Sequence, residues 1–295
     1  MKDATAKAII CAAIGNIIWG FGFLFTKIAL NRVPHPNLML SHRFVIASLL
    51  MLIPALMGKV KISLRGKDLK PIWMLTATQI GYYMFESYAI MYTNASVSGM
   101  VLALVPVVSI GTGMLFLKEY PTRRQALFCL MPVAGAILIT ISESELGVIS
   151  ALGMLFLAAT LIISALYKTV NRKASVQFSA YERTIIVLSA SAVFYSAIGL
   201  GWVNWDIKAY AAPLLDIPYL LSLLCLWILR SIIANLLVNY ATANMSVFKV
   251  SSFGALSTLC SAVAGVVLLD EPWNWTLLLG GVLILVGVRQ VTRQK

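Results

Sequence analysis

AIICAAIGNIIWGFGFLFTKIAL, residues 8–30, is a run of 23 residues with a single charge, Lys27. As a helix it is long enough to cross a hydrocarbon core about 30 Å thick. Lys2 and Lys7 precede it, as in a secretory signal. The run nevertheless exceeds the roughly 7–15 apolar residues of a signal h-region, so it reads as a retained first span. Nine similar segments follow, at about 38–58, 71–92, 95–117, 125–142, 147–167, 179–202, 217–239, 245–269 and 274–290. The 295-residue chain is 60% apolar and 12% charged, with a mean hydropathy of +0.89. A soluble fold with about half the usual share of charges could not cover so much apolar surface. An ordinary cytosolic enzyme, a nucleic-acid-binding domain and a disordered chain are excluded. Runs near 20 residues point to helices, because a barrel would show alternating segments of about ten. The expected fold is an all-α integral membrane protein of ten transmembrane helices.

The net charge of +12 is informative through its placement. With the amino terminus in the cytoplasm, the inner segments carry Lys2, Lys7, Lys59, Lys61, Arg65, Lys67, Lys70, Lys118, Arg123, Arg124, Lys168, Arg172, Lys173, Arg289, Arg293 and Lys295. The outer side keeps Lys27, Arg32, Arg43 and Lys208, with Glu143, Glu145, Asp270 and Glu271 in its loops. This asymmetry places both termini inside a cytoplasmic membrane. Cys11, Cys129, Cys225 and Cys260 lie within apolar runs without metal-ligand spacing, and two histidines do not make a metal site. There is no phosphate-cradling glycine loop followed by lysine, so no ATP motor, and no serine–histidine arrangement. No enzyme activity and no cofactor are expected.

The chain also repeats. Shifted so that Tyr240 faces Tyr88, residues 240–292 meet 88–140 without gaps. Ala103, Leu104, Ser109, Gly113, Leu117, Glu119 and Gly135 face Ala255, Leu256, Ser261, Gly265, Leu269, Glu271 and Gly287. A slightly shorter shift sets Asn31, Arg32 and Arg43 against Asn171, Arg172 and Arg183. The halves are therefore 1–145 and 146–295. Five spans is an odd number, so the second half enters from the opposite face, the inverted repeat of many secondary transporters.

Trp19-Gly20, Lys27 and Arg43-Phe44 resemble the opening of an EamA-type repeat of the drug/metabolite transporter superfamily. Tyr92-Thr93-Asn94-Ala95-Ser96-Val97-Ser98, Pro106 and Leu117-Lys118-Glu119 continue the resemblance, and the second copy closes with Leu269-Asp270-Glu271, Gly281 and Gly287. It covers almost the whole chain. It implies solute transport, commonly of amino acids and other metabolites, by alternating access around a cavity lined by spans one, three, four, six, eight and nine.

Ionisable groups inside a bilayer are costly and mark function or internal pairing. The sequence places Glu86, Arg230 and Lys249 deep. Glu86 shares a helix face with Gln79, Tyr82 and Tyr83, a polar and aromatic stripe on an otherwise apolar span. Arg230 leads Ser231, Asn235 and Asn239 at helical spacing, and the first span carries Asn16, Trp19, Gly20, Phe23 and Lys27 on one stripe. Glu86 would meet an amine or a proton, or else pair with Arg230. Arg230 would hold a carboxylate, or only neutralise Glu86. Trp19, Tyr82 and Tyr83 would hold the apolar part, with Asn16, Gln79 and Asn235 beside them. Lys249, near the cytoplasmic end of its span, can snorkel. Pro106 is a candidate hinge, Gly111 and Gly113 are candidate close-packing positions, and Glu119 and Glu271 are helix-anchoring positions.

The expected solute is small, polar and amine-bearing, such as an amino acid. An organic cation of the choline type or a nucleotide sugar or phosphometabolite is the alternative. A coupled proton, the lipid bilayer and a monomer or homodimer complete the expected partners, and nucleic acid is not among them. The orientation is testable. In a bacterial host, a fluorescent protein fused after Lys295 should fluoresce and an alkaline phosphatase at the same place should be silent. The reverse pattern overturns the topology.

Overall fold

The computed structural model describes residues 2–60, 62–93, 98, 101–143, 150–268 and 275–293. These are mostly helical, with no strand among the described residues. The long helices are α1 (Lys2–Arg32), α2 (Pro36–Leu56), α3 (Lys70–Tyr92), α4 (Val105–Leu117), α5 (Arg123–Glu143), α6 (Ala151–Ala174), α7 (Ala180–Trp202) and α8 (Ile217–Asn244). α9 (Val247–Ser252), α10 (Ala255–Leu268) and α11 (Trp275–Arg293) follow. Each apolar segment read from the sequence contains helix among its described residues. Among the described residues, six helices are long and apolar enough to cross a membrane: α2, α6, α7, α8, α11 and residues Thr5–Arg32 of α1. Asn94 to Val97, Glu145, Asp270 and Glu271 lie outside the described residues.

Local chemistry sets the helix starts. Ser179 caps α7 in a reciprocal box, accepting from the Glu182 amide while the Glu182 carboxylate accepts from the Ser179 amide. That carboxylate also takes Lys67 at 2.8 Å, tying the α2–α3 connection to α7. Glu119 anchors a helix end as expected, but not the helix that follows it. Its Oε2 accepts from the Val247 amide at the start of α9, and its Oε1 pairs with Arg172 of α6 at 3.2 Å.

The polarity of the molecule is reversed relative to a soluble protein. Leu49, Leu115, Leu155, Val193, Leu279 and Leu285 are exposed, while Arg43, Arg183, Arg230, Glu86, Asn171 and Asn239 are buried. An outward apolar surface with an inward polar one suits lipid on the outside. The most extensive helix pairings join residues 2–143 to residues 150–293: α2 with α7, α3 with α6, α5 with α11, and α1 with both α8 and α10. The two sequence repeats therefore interleave rather than stand as separate bodies.

Two spans are broken. A turn at Ala103–Leu104, closed by the Leu104 amide on the Val101 carbonyl at 3.1 Å, precedes α4. A turn at Phe253–Gly254 separates α9 from α10. Pro106 accordingly sits in the first turn of α4, where its missing amide costs nothing, and is not a kink within a continuous helix. The close-packing glycines also differ from expectation, since a Cβ at Gly111 or Gly113 would meet nothing within 4 Å. Close approach occurs at the α5–α11 crossing instead. A Cβ on Gly135 would lie 2.5 Å from the Gly280 carbonyl oxygen, and one on Gly280 would lie 2.6 Å from that of Gly135. Backbone cannot yield as a side chain can, so Gly135→Ala should destabilise by about 1–3 kcal/mol. Gly111→Ala should be neutral. Thermal unfolding in detergent checks both, and equal melting temperatures would refute the crossing.

Candidate functional site

A cavity opens where α1, α3, α4, α6, α8 and α10 converge. Its wall includes Asn16 and Trp19 from α1, Gln79, Tyr82 and Tyr83 from α3, and Arg230 from α8. These are six of the eight residues singled out from the sequence. Gln79, Tyr82 and Tyr83 reach it together because helical spacing puts them on one face of α3. Leu102 and Val105 enter from the first broken span, Gly254, Ser257 and Thr258 from the second, and Ser164, Tyr167 and Lys168 from α6. Gly20 serves the neighbouring helix: a Cβ there would lie 2.5 Å from the Ser257 carbonyl oxygen. Asn235 lines a second, smaller space with Arg183 and Asn239, which Gln79 and Tyr167 also line.

Glu86 stands behind the wall. Arg230 Nη2 donates to both of its carboxylate oxygens at 2.7 Å, and Tyr82 donates to Oε1 at 2.5 Å. Arg230 Nη1 also donates to Thr26 of α1 at 3.0 Å, and a Cβ at Gly22 would lie 2.7 Å from Arg230 Nε. Of the two roles open in the sequence, internal pairing is the one present. Arg230 lies in a π-helical stretch, Leu226–Ala234, inside α8. Such stretches are rare and locally widen a helix.

The structure buries Arg43 and Lys168, which the charge count assigned to the two membrane faces, and Arg183, which the repeat matched to Arg43. Arg43 is fully buried in α2. Its Nε donates to Ser231 at 2.8 Å, its guanidinium lies 4.5 Å from the Tyr83 ring centroid, and Nη1 and Nη2 have no hydrogen-bond partner among the described residues. Arg183 is buried in α7 and donates to the carbonyl of Asn239 at 2.7 Å and to the side chain and carbonyl of Asn171. Asn171 donates to Asn239 at 2.6 Å, completing a bridge from α6 to α8. Lys168 is 6% exposed, on the cavity wall. The signal that reached these residues was the repeat match of Arg43 with Arg183, and nothing in the sequence separated Lys168 from the interfacial lysines. Lys249 is half-buried near the start of α9, outside the cavity wall.

Residues 6–141 and 151–293 both match the EamA-like transporter family. The chain belongs to the EamA-like transporter family. It is 32% identical over 292 residues to a Bacillus subtilis (strain 168) protein described as "Uncharacterized transporter YcxC", covering 98% of this chain and 93% of that one. An Archaeoglobus fulgidus protein described as "Uncharacterized transporter" is 23% identical over 291 residues, covering 98% of this chain and all of that one. A solved structure, titled only as a crystal structure of protein, superposes with a TM-score of 0.79 at 17% identity, covering 97% of this chain and 96% of that one, and it shares the fold. The chain is thus a multi-pass membrane transporter, and a membrane-embedded EamA-like transporter implies a small-molecule substrate.

The ion pair yields a stability prediction. Glu86→Gln leaves the Arg230 guanidinium buried without its counter-charge and should cost about 3–5 kcal/mol. Adding Arg230→Met should recover most of that loss. Unfolding in detergent across the double-mutant cycle checks it, and additive costs would show that the two charges are not coupled.

Proposed function

We propose that this EamA-like protein is a secondary transporter of a small polar metabolite, working by alternating access in the cytoplasmic membrane. Ten spans, arranged as the inverted halves 1–145 and 146–295, would rock about the central cavity with both termini in the cytoplasm. The observation that carries this reading is the cavity's construction. Both halves wall it, broken helices enter it from each half, and polar side chains line it within a lipid-facing shell. Discontinuous helices at a repeat interface are a recurrent transporter device, because exposed backbone is tolerated there and nowhere else in a bilayer.

Among the solute classes read from the sequence, an organic cation is the least supported, since no carboxylate is on the cavity wall among the described residues and Glu86 is engaged by Arg230. The same engagement argues against Glu86 as a freely protonating coupling group and against a Glu86–Arg230 clamp on a zwitterion.

Alternating access has a test that needs no solute. In a variant lacking the four native cysteines, Ser164→Cys places one thiol on the cavity wall. A membrane-impermeant methanethiosulfonate should modify it from either face of oriented vesicles, at different rates. Modification from one face only, under every condition, would overturn the mechanism.

A further inference from the structure

The cavity wall holds donors that find no partner among the described residues. Lys168 is 6% exposed, and its ammonium has no hydrogen-bond or ion-pair partner among the described residues. The indole N–H of Trp19 is buried on the same wall without an acceptor. Burying an unpaired ammonium in an apolar shell costs several kcal/mol or more, which selection tolerates where a ligand supplies the missing charge. Space is left for one. The side chain missing at Gly254 would place a Cβ 3.8 Å from Lys168 Nζ and 4.0 Å from Asn16 Oδ1.

The surrounding charges do not supply the counter-ion. Glu86 is spent on Arg230, and the Arg183 fork is spent on Asn171 and Asn239. Two helices present their amino-terminal ends to the cavity, beside the electronegative carboxyl end of the short α9. α4, of 13 residues, and α10, of 14, begin at the cavity, where Val105 and Ser257 line it. The amino-terminal end of a helix is electropositive and favours a nearby anion.

We propose that Lys168 and Trp19 anchor the carboxylate of an organic monoanion, whose apolar body lies against Tyr82, Tyr83, Tyr167 and Leu102. Of the two cations among the described residues of the wall, Arg230 is held by Glu86, so the Lys168 ammonium is left to match one negative charge. A phosphate dianion or a nucleotide diphosphate would call for a free arginine fork on the wall; the Arg230 fork is occupied, and Arg43, whose Nη1 and Nη2 find no partner among the described residues, stacks on Tyr83 and is not part of the wall. This inference rests on the reading of the cavity as the transport site, and it adds the class of solute and the residue that selects it.

Four probes with one phenyl ring and different head groups test it: phenylacetate, L-phenylalanine, phenyl phosphate and phenethylamine. Binding to the full-length protein in nanodiscs is read by calorimetry, and unfolding by melting temperature. Phenylacetate should bind best, L-phenylalanine more weakly because its ammonium meets no carboxylate among the described residues of the wall, phenyl phosphate also more weakly, and phenethylamine not at all. Lys168→Gln should weaken both carboxylates about ten- to a hundredfold, as loss of a charged hydrogen bond does, while Lys168→Arg retains most of the affinity. Trp19→Phe keeps the ring, removes the N–H and should weaken phenylacetate by about three- to tenfold. Unliganded Lys168→Gln should melt no lower than wild type, because it removes an unpaired charge, so weaker binding cannot be put down to misfolding.

Unchanged carboxylate affinity in Lys168→Gln, a preference for phenethylamine or phenyl phosphate, or binding of none of the four would overturn the assignment. Exchange of labelled phenylacetate by proteoliposomes separates the two readings. Lys168-dependent binding without exchange would remove transport and leave the anion site. Exchange that survives Lys168→Gln would remove the anion site and leave transport.

Discussion

The contact on which the architecture turns is the ion pair between Glu86 of α3 and Arg230 of α8, 2.7 Å long and almost fully buried. In a medium of low polarity neither charge is tolerable alone, so the helices that carry them are bound to one arrangement. Arg230 extends the constraint to α1 through Thr26, and Gly22 leaves the room its side chain needs. Tyr82, bound to the same carboxylate, holds the edge of the cavity. The pair gives a rigid back wall, and the neighbouring face of the same three helices is free to line a site.

A second polar seam runs through Asn171, Arg183, Asn239 and Thr184, joining α6, α7 and α8. Here the guanidinium is satisfied by carbonyl and amide oxygens alone, which leaves its positive charge uncompensated. Together with Arg43 and Lys168 this gives the interior more positive than negative charge among the described residues. The excess surrounds a cavity that two interrupted spans enter. Interruption there is physically reasonable, since backbone groups freed at Ala103–Leu104 and Phe253–Gly254 face a polar space instead of lipid.

Much of the site was readable because helical period survives in an apolar background. Gln79, Tyr82, Tyr83 and Glu86 are few polar groups among many apolar ones, and their spacing names a face without any knowledge of neighbours. Trp19 and Asn16 were readable in the same way. Lys168, Arg43 and Arg183 were not. Counting lysines and arginines at segment ends treats each as interfacial, yet α6 continues to Ala174 and α2 is already helical at Pro36, so these cations fall within helices. Whether a basic side chain near a span end turns outward to the headgroups or inward to a cavity depends on the packing of that helix, which no local pattern encodes.

Length and hydropathy of each run, together with the near-absence of charge within it, were enough to require membrane helices, and the matched glycines and basic residues were enough to reveal two repeats. These are properties of single segments, or of one segment set beside another, and the bilayer imposes them directly. The pairing of charges was not available in that way. Glu86 and Arg230 are 144 positions apart, and each had a plausible role without the other. The interleaved packing of the two repeats brought them together and left Lys168 without a partner among the described residues. Electrostatic partnership in an apolar interior is set by a few ångströms of separation, and those ångströms exist only once the chain has folded.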